Sequence, residues 1–176
     1  MTRISLVLLL IVTFSTQVFG QERPFPVTVA LCGNGLDAWY LSINSRGEAE
    51  LIVDSEKRYR ADWTIPQDEW TEFAALVKEV DFFDLDGDYG QRVPDGGAVH
   101  LTIAGGRQSS SVNLYFLMNY INAKEIEKLR EPARVLRLLT RLVSHIESDA
   151  LSADFGESFR WQLGKIQQVL AETSKK

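Results

Sequence analysis

The fold of this chain is decided by residues 36–54, which read LDAWYLSINSRGEAELIVD. In both halves of this stretch apolar and polar side chains alternate, as in a strand with one buried face. The segment Ser45-Arg46-Gly47 between the halves is typical of a turn, because Gly47 can adopt a positive φ. The stretch therefore predicts a β-hairpin. Its inward-facing side chains are Trp39, Leu41, Ile43, Ala49, Leu51 and Val53.

Alternation with the same period of two returns in three other segments. It runs through residues 58–63, 98–104 and 111–116. The dipeptide Gly105-Gly106 between the last two segments is a strong signal for a tight hairpin. Strands that are buried on one face only are typical of antiparallel sheets. We therefore expect an antiparallel sheet of about five or six strands.

A helical period replaces the alternation after residue 63. Thr64-Ile65-Pro66-Gln67 resembles the start of a helix, with Thr64 as its cap and a proline in the first turn. The apolar residues that follow are spaced for one helix face, which we expect to pack on the sheet. They are Trp70, Phe73, Ala74, Val77 and Val80.

From Asn122 onward the pattern predicts further helices. Asn122 and Glu125 resemble a capping box, and Pro132 begins a new helix because proline is tolerated only in a first turn. A last helix is expected at residues 157–173. The predicted fold class is α+β: an antiparallel β-sheet with one packed helix, followed by C-terminal helices.

The first twenty residues have the pattern of a secretory signal peptide. One positive charge, Arg3, precedes an apolar run at residues 4–14, and Val18-Phe19-Gly20 ends in a small residue. The run is too short for a membrane-spanning helix, which needs about 20 residues. We predict a leader at 1–20, a sheet domain at 21–121 and C-terminal helices at 122–176 packed on the same domain. The mature protein is expected to be exported and soluble, periplasmic or extracellular, with no transmembrane segment.

Charge and cysteine content narrow the classes of partner. The formal net charge is −5, which argues against nucleic acid and against anionic membranes as partners. Cys32 is the only cysteine, so no intramolecular disulfide can form. The favoured interpretation is a small buried side chain. The alternatives are an intermolecular disulfide and a reactive thiol.

The order of motifs resembles an uncharacterised family of exported bacterial α+β domains of unknown function. The residues that carry the resemblance are Cys32-Gly33, Trp39-Tyr40-Leu41-Ser42-Ile43, Arg46-Gly47, and the turn Asp81-Phe82-Phe83-Asp84-Leu85 after the helix. It covers about residues 27–116. It implies a small sheet, a helix and a closing hairpin, and it implies no activity. A second cysteine common in that family is missing after Cys32.

An acidic segment within residues 81–97 is the one candidate metal site. Its four aspartates occupy positions 1, 3, 5 and 12 of a calcium-binding loop, where carboxylates converge on one hard cation. They are Asp84, Asp86, Asp88 and Asp95. Position 6 is Tyr89 instead of glycine, and position 12 is aspartate instead of glutamate. The alternative is a solvated turn with local aspartate hydrogen bonds.

The candidates for nucleophilic catalysis lack partners. His100 is expected on the polar face of a strand and His145 at the end of a helix, where a positive charge suits the helix dipole. Ser109-Ser110-Ser111 has no Gly-x-Ser-x-Gly elbow around it. Glu48 and Glu50 are explained more simply as cross-strand partners of arginines than as paired catalytic carboxylates.

A basic stripe on the helix after Pro132 has two interpretations. Its members are Arg130, Arg134, Arg137 and Arg141. They form either a solvated face or a docking site for acidic groups, those of a partner or of the acidic segment in the same chain.

The outer face of the sheet is the predicted binding surface. It carries Tyr40, Arg58, Arg60, His100 and Tyr115, while Trp161 points away from the apolar stripe of the last helix. The leading hypothesis is a non-catalytic exported binding or interaction module with a protein or envelope partner. Two rivals remain open. One is a metal-assisted hydrolase using the aspartates, with Ca²⁺ as its cofactor, and the other is a structural envelope protein that docks through its C-terminal helix.

Overall fold

The computed structural model describes residues 26–34, 38–54, 59–85, 87–93, 98–145 and 153–173. Within these ranges the strands are β1 (Val27–Asn34), β2 (Ala38–Ile43), β3 (Glu48–Asp54), β4 (Tyr59–Thr64), β5 (Gly87–Tyr89), β6 (Ala98–Gly105) and β7 (Gln108–Leu114). The helices are α1 (Gln67–Glu79), α2 (Met118–Ala123), α3 (Arg130–Val143) and α4 (Ala153–Thr173). Short 3-10 turns lie at Phe82–Asp84 and Ile126–Lys128. The predicted leader at 1–20 lies outside the described residues.

The strands form one seven-stranded sheet in the order β4-β3-β2-β1-β6-β7-β5. All neighbours are antiparallel except β5, which runs parallel to β7. The predicted α+β class is confirmed. The predicted hairpin is also confirmed, because β2 and β3 pair Leu41 with Leu51 and Ile43 with Ala49. The Asn44 side-chain oxygen closes the turn by accepting hydrogen bonds from the backbone of Arg46 and Glu48.

One hydrophobic core lies between the sheet and the helices. The inward residues of the strands belong to the same cluster as Trp70, Phe73 and Val77 of α1. The leucines of α3 and the α4 residues Ile166 and Val169 belong to that cluster too. The helices therefore cover one face of the sheet and leave the other, here called the outer face, without a layer of described residues over it.

The structure differs from the predictions at several element ends. Thr64 ends β4 instead of capping α1, which begins at Gln67. Asn122 lies inside α2 and caps nothing. Pro132 does fall in the first turn of α3, as expected, and α4 begins at Ala153. Helix ends depend on tertiary packing as well as on local capping residues, which explains the shifts.

The expected acidic loop contains a strand. β5 is three residues long and pairs with β7, and Tyr89 is buried beneath it. Gly87 and Gly90 on either side have φ of 107° and 98°, which a side chain would strain. A strand this short gives no alternation to detect, and its partner lies far away in sequence. None of the described helices combines the length and hydropathy that crossing a membrane requires.

Candidate binding face

One row of side chains crosses all seven strands on the outer face. The strand registers place its members opposite one another: Arg60, Ile52, Tyr40, Cys32, His100, Asn113 and Asp88. With about 4.8 Å between strands, this transverse row is roughly 29 Å long. The prediction that Tyr40, Arg60 and His100 share the outer face is confirmed. Arg58 lies outside the described residues.

The β6–β7–β5 half of the row is a hydrogen-bonded network. The Oδ1 atom of Asp88 is 2.7 Å from the Asn113 amide nitrogen, and the Asn113 oxygen is 2.8 Å from His100 Nδ1. Thr102 Oγ1 lies 3.1 Å from His100 Nε2 and 2.8 Å from Ser111 Oγ. The network thus joins the transverse row to the neighbouring row of hydroxyl side chains.

The direction of each bond follows from Asp88. An ionised carboxylate only accepts, so Asn113 must offer its NH₂ group to Asp88 and its oxygen to His100. His100 Nδ1 then donates, which leaves Nε2 of a neutral ring to accept from the Thr102 hydroxyl. Thr102 in turn accepts from Ser111. Both ring nitrogens of His100 are therefore engaged.

Arg92 and Tyr115 complete this half of the face. Arg92 Nη2 lies 2.5 Å from the second Asp88 oxygen, and its guanidinium sits 5.0 Å from the centre of the Tyr115 ring. The hydrogen bond from Asn113, followed by that from Arg92, holds the pKa of Asp88 below its usual value. Tyr115, which was predicted on this surface, thus lies beside the network with its ring against the Arg92 guanidinium.

The centre of the face is apolar. Tyr40 and Ile52 lie opposite each other on β2 and β3, with 43% and 39% of their surface exposed. Cys32 follows Tyr40 in the row and is a half-buried free thiol. The interpretation of Cys32 as a core residue is wrong, because its strand position directs it outward.

The β4 side of the face is acidic. Arg60 binds Glu50 at 2.6 Å and lies 3.6 Å from Asp62, so one cation serves two carboxylates. The interpretation of Glu50 as a cross-strand partner of Arg60 is confirmed. A shallow open depression of about 660 Å³ lies here. Its polar lining comprises Thr28, Ser42, Asn44, Glu48, Glu50, Asp62 and Thr64.

The predicted calcium ligands are only partly described. Asp84 is exposed at the end of a 3-10 turn, while Asp88 belongs to the transverse row. Asp86 and Asp95 lie outside the described residues, so the four-aspartate site stays a prediction. In the part of the chain that the structure describes, no three His, Cys, Asp or Glu residues form a metal-binding group.

Trp161 is exposed as predicted but belongs to another surface. Half of its area is accessible, on α4, which packs against α3 in the helical layer. It cannot share a ligand footprint with Tyr40 across the sheet.

His145 departs from its expected role at a helix end. Its side chain is only 7% exposed, and its Nδ1 lies 2.9 Å from Glu69. Burial, followed by the nearby Arg141 charge, lowers the pKa of His145. The expected surface position of His145 is wrong, because its side chain is buried, and its Nε2 has no hydrogen-bond partner among the described residues.

The basic stripe of α3 docks onto α1. Arg137 binds Glu79 at 2.7 Å and Arg141 binds Glu72 at 2.8 Å. Arg134 donates to the backbone oxygens of Val80 and Asp81. The interpretation as a docking site for the acidic segment of the same chain fits only Arg134, which lies 3.6 Å from Asp81. Arg137 and Arg141 bind acids of α1 instead, so the stripe joins two helices of the fold.

The sequence did not predict four members of the transverse row for the binding surface: Cys32, Ile52, Asn113 and Asp88. The signal for Asn113 was present, because the tight Gly105-Gly106 turn fixes the β6–β7 register and places it opposite His100. Asp88 had no such signal, since β5 pairs with β7 only through a long connection.

The comparisons with known proteins add no family. No protein-family model matches the chain, and the search of curated proteins gave no match either. The family resemblance over about residues 27–116 therefore stays a prediction.

Proposed function

We propose that the protein is an exported, non-catalytic binding module that docks a protein partner on the outer face of its sheet. The observation that carries this proposal is the exposed pair Tyr40 and Ile52, which are neighbours in the transverse row. Charged and polar groups flank the pair on both sides: Arg60 with Glu50 and Asp62 on one side, and the His100 network on the other.

The shape of the face favours a protein over a small molecule. Small ligands are bound in concave pockets that enclose most of their surface. Protein interfaces are flatter, with aromatic or apolar groups at the centre and polar groups at the rim. The outer face has this second arrangement. The network from Ser111 to Arg92 also fixes its polar groups before binding, which lowers the entropy lost on association.

A non-catalytic role is supported by the bonds that His100 makes. A general base needs a free nitrogen within hydrogen-bonding reach of its nucleophile. Asn113 and Thr102 hold the two ring nitrogens of His100, although Cys32 lies directly opposite on β1. The thiol and the imidazole are therefore neighbours without forming a nucleophile and base pair.

The location outside the cytoplasm is the second part of the proposal, and the leader pattern at 1–20 supports it. Intact-mass analysis of protein recovered from a secreting host tests it. A mature chain that begins at Gln21 in the periplasmic or culture fraction supports export. A full-length chain retained in the cytoplasm contradicts it.

The binding face is tested with the parent protein and two variants, each used as bait on the exported protein fraction of the source cell. Tyr40→Ser combined with Ile52→Thr removes the apolar centre. Phe116→Ser is the matched control, because Phe116 is 44% exposed away from the transverse row. A partner held by the parent and by the control but lost from the double variant supports the proposal. A partner held equally by all three contradicts it.

The rival role of the C-terminal helix is decided in the same experiment. Trp161 is the most exposed large apolar side chain among the described residues, and such aromatic anchors often dominate binding energy. Capture that is lost only with Trp161→Ala would assign docking to α4 and overturn the outer-face proposal.

A further inference from the structure

Among the described strands, β4 forms the longer of the two sheet edges. It has six residues, whereas the opposite edge, β5, has three. A free edge offers a row of unpaired backbone donors and acceptors to another strand. Short strands such as β5 are a common protection against such pairing, and β4 lacks this protection.

The backbone groups that face outward on β4 can be identified. The N–H of Ile65, the residue after β4, donates to Gly47 O at 2.9 Å and so points toward β3. Backbone groups alternate in direction along an antiparallel strand. Ala61 and Trp63 therefore point toward β3, while Arg60, Asp62 and Thr64 point outward. No described residue donates to or accepts from these outward groups.

The edge is complementary to itself in one register. Two copies of β4 can pair antiparallel about a two-fold axis through Ala61, which gives an isologous interface. Arg60 then lies opposite Asp62 of the second copy, and Asp62 lies opposite the second copy's Arg60. Both residues point their backbone groups outward, so each of these pairs exchanges two backbone hydrogen bonds. Both also direct their side chains to the outer face, where the opposite charges meet.

Among the described residues of the edge, each neighbouring register brings like charges together or mismatches the faces. A shift of two residues in one direction places Arg60 opposite Arg60, and in the other direction Asp62 opposite Asp62, and like charges directly opposite are destabilising. A shift of one residue places outer-face side chains against inner-face side chains. The paired register also gives Asp62 a second cation, since it lies 3.6 Å from an Arg60 that is bound to Glu50 at 2.6 Å.

We infer that β4 is a self-association edge, and that its partner is a second copy of this chain paired in the register centred on Ala61. The dimer has one continuous sheet across both copies. The interface pairs five described strand residues a side, 59–63, and is small, so association is weak and depends on concentration. This inference does not rest on the proposed function, because it uses the edge of the sheet and not the Tyr40 and Ile52 pair.

A charge exchange tests both the edge and the register. Sedimentation velocity over a range of concentrations measures association of residues 21–176. Arg60→Asp gives an edge with two acids, and Asp62→Arg gives an edge with two bases. We expect each variant alone to associate at least roughly tenfold more weakly than the parent. An equimolar mixture of the two variants is expected to form a heterodimer, and a chain carrying both substitutions is expected to dimerise again.

The control is Arg107→Asp, which reverses an exposed charge in the β6–β7 turn and is expected to leave association unchanged. Circular dichroism confirms that each variant is folded. A parent protein that stays monomeric at millimolar concentration overturns the inference. So does association that survives both single substitutions, or a mixture that associates no better than its components. Loss of partner capture by the Tyr40 and Ile52 variant would leave the inference untouched.

Discussion

At the scale of the residue, Asp88 is the acceptor on which the polar network of the outer face ends. Asn113 donates to one of its carboxylate oxygens and Arg92 to the other. The same aspartate was a predicted calcium ligand. A cation at Asp88 would have to displace Arg92. Metal binding would therefore cost the charge-assisted hydrogen bond between Arg92 and Asp88.

We therefore expect the thermal unfolding of residues 21–176 to be the same in EDTA and in millimolar Ca²⁺. A site filled at 100 times its Kd would add about 2.7 kcal/mol. In a chain of this size that is a rise of roughly 5–10 °C in Tm. Mg²⁺ and Zn²⁺ serve as controls for ion type. A rise of this size with Ca²⁺ alone would instead assign the cation to Asp84, Asp86, Asp88 and Asp95, and it would support the hydrolase.

His145 gives a prediction about pH. Its folded pKa lies below the usual 6.5, first because of burial and then because of Arg141, which outweigh the carboxylates of Glu69 and Glu72. The unfolded chain therefore binds the proton at a higher pH than the folded chain does. Stability should fall as the pH drops through 6.5 toward the folded pKa.

Urea unfolding at several pH values between about 5 and 7 measures this effect. His145→Gln cannot take up a proton in either state, so the stability of this variant should fall less over the same interval. Groups that do not contact His145 contribute equally to both profiles and cancel in the comparison. Parallel pH profiles for the two proteins would show that His145 titrates normally in the folded state.

Between α1 and α3, four side-chain contacts form an antiparallel ladder that holds the two helices together. Arg134, Arg137, Arg141 and His145 follow one another along α3, and they meet Asp81, Glu79, Glu72 and Glu69 in that order. The four contacts are of different types. Arg137 and Arg141 make partly exposed ion pairs, which contribute about 0–1 kcal/mol each. Arg134 also donates to two backbone oxygens at the end of α1.

We expect Arg134→Ala to be more destabilising than Arg137→Ala. The first change leaves the carbonyls of Val80 and Asp81 without their charged donor, and hydrogen bonds to charged groups contribute about 1.5–3 kcal/mol. The second change removes only a surface pair. Chemical denaturation of both variants in low and high salt makes the comparison, because the Arg137 pair is weakened by screening. Equal losses of stability would show that the backbone contacts of Arg134 contribute little.

The elements with local signals could be predicted from the sequence. The alternation in residues 36–54 and the turn at Gly47 specify the β2–β3 hairpin, and the spacing of Trp70, Phe73 and Val77 specifies α1. β5 could not be predicted, because its pairing with β7 is parallel and long-range. Alternation predicted the positions of Tyr40 and His100 on the candidate face. The position of Asp88 could not be predicted, because it depends on the long-range pairing of β5 with β7.

At the scale of the whole molecule, the sheet and the C-terminal helices share one hydrophobic core. Ile166 of α4 is fully buried in the same cluster as Leu142 of α3 and Phe73 of α1. Two regions that share a core of this kind are expected to unfold together, because neither has a separate core to retain. The sheet region and the helical region should thus behave as one cooperative unit.

Two optical probes can follow the two regions separately. The chain has four tryptophans, of which Trp161 is in α4 while Trp39, Trp63 and Trp70 are in the sheet and α1. In a Trp161→Phe background, fluorescence reports only the sheet and α1, whereas far-ultraviolet circular dichroism is dominated by the helices. We expect the two urea transitions to coincide.

Ile166→Ala in that background should move both transitions together to lower urea concentration. The free energy of unfolding should fall by about 2–5 kcal/mol, because the change leaves a cavity in the shared core. Lys165→Ala is the matched control on the exposed side of α4 and should cost less than about 0.5 kcal/mol. A fluorescence transition that stays in place while the circular dichroism transition moves would mean that α4 unfolds from an intact sheet. In that case α4 could leave the sheet and dock on another protein. That outcome would support the structural envelope role, whereas a shared core argues against it.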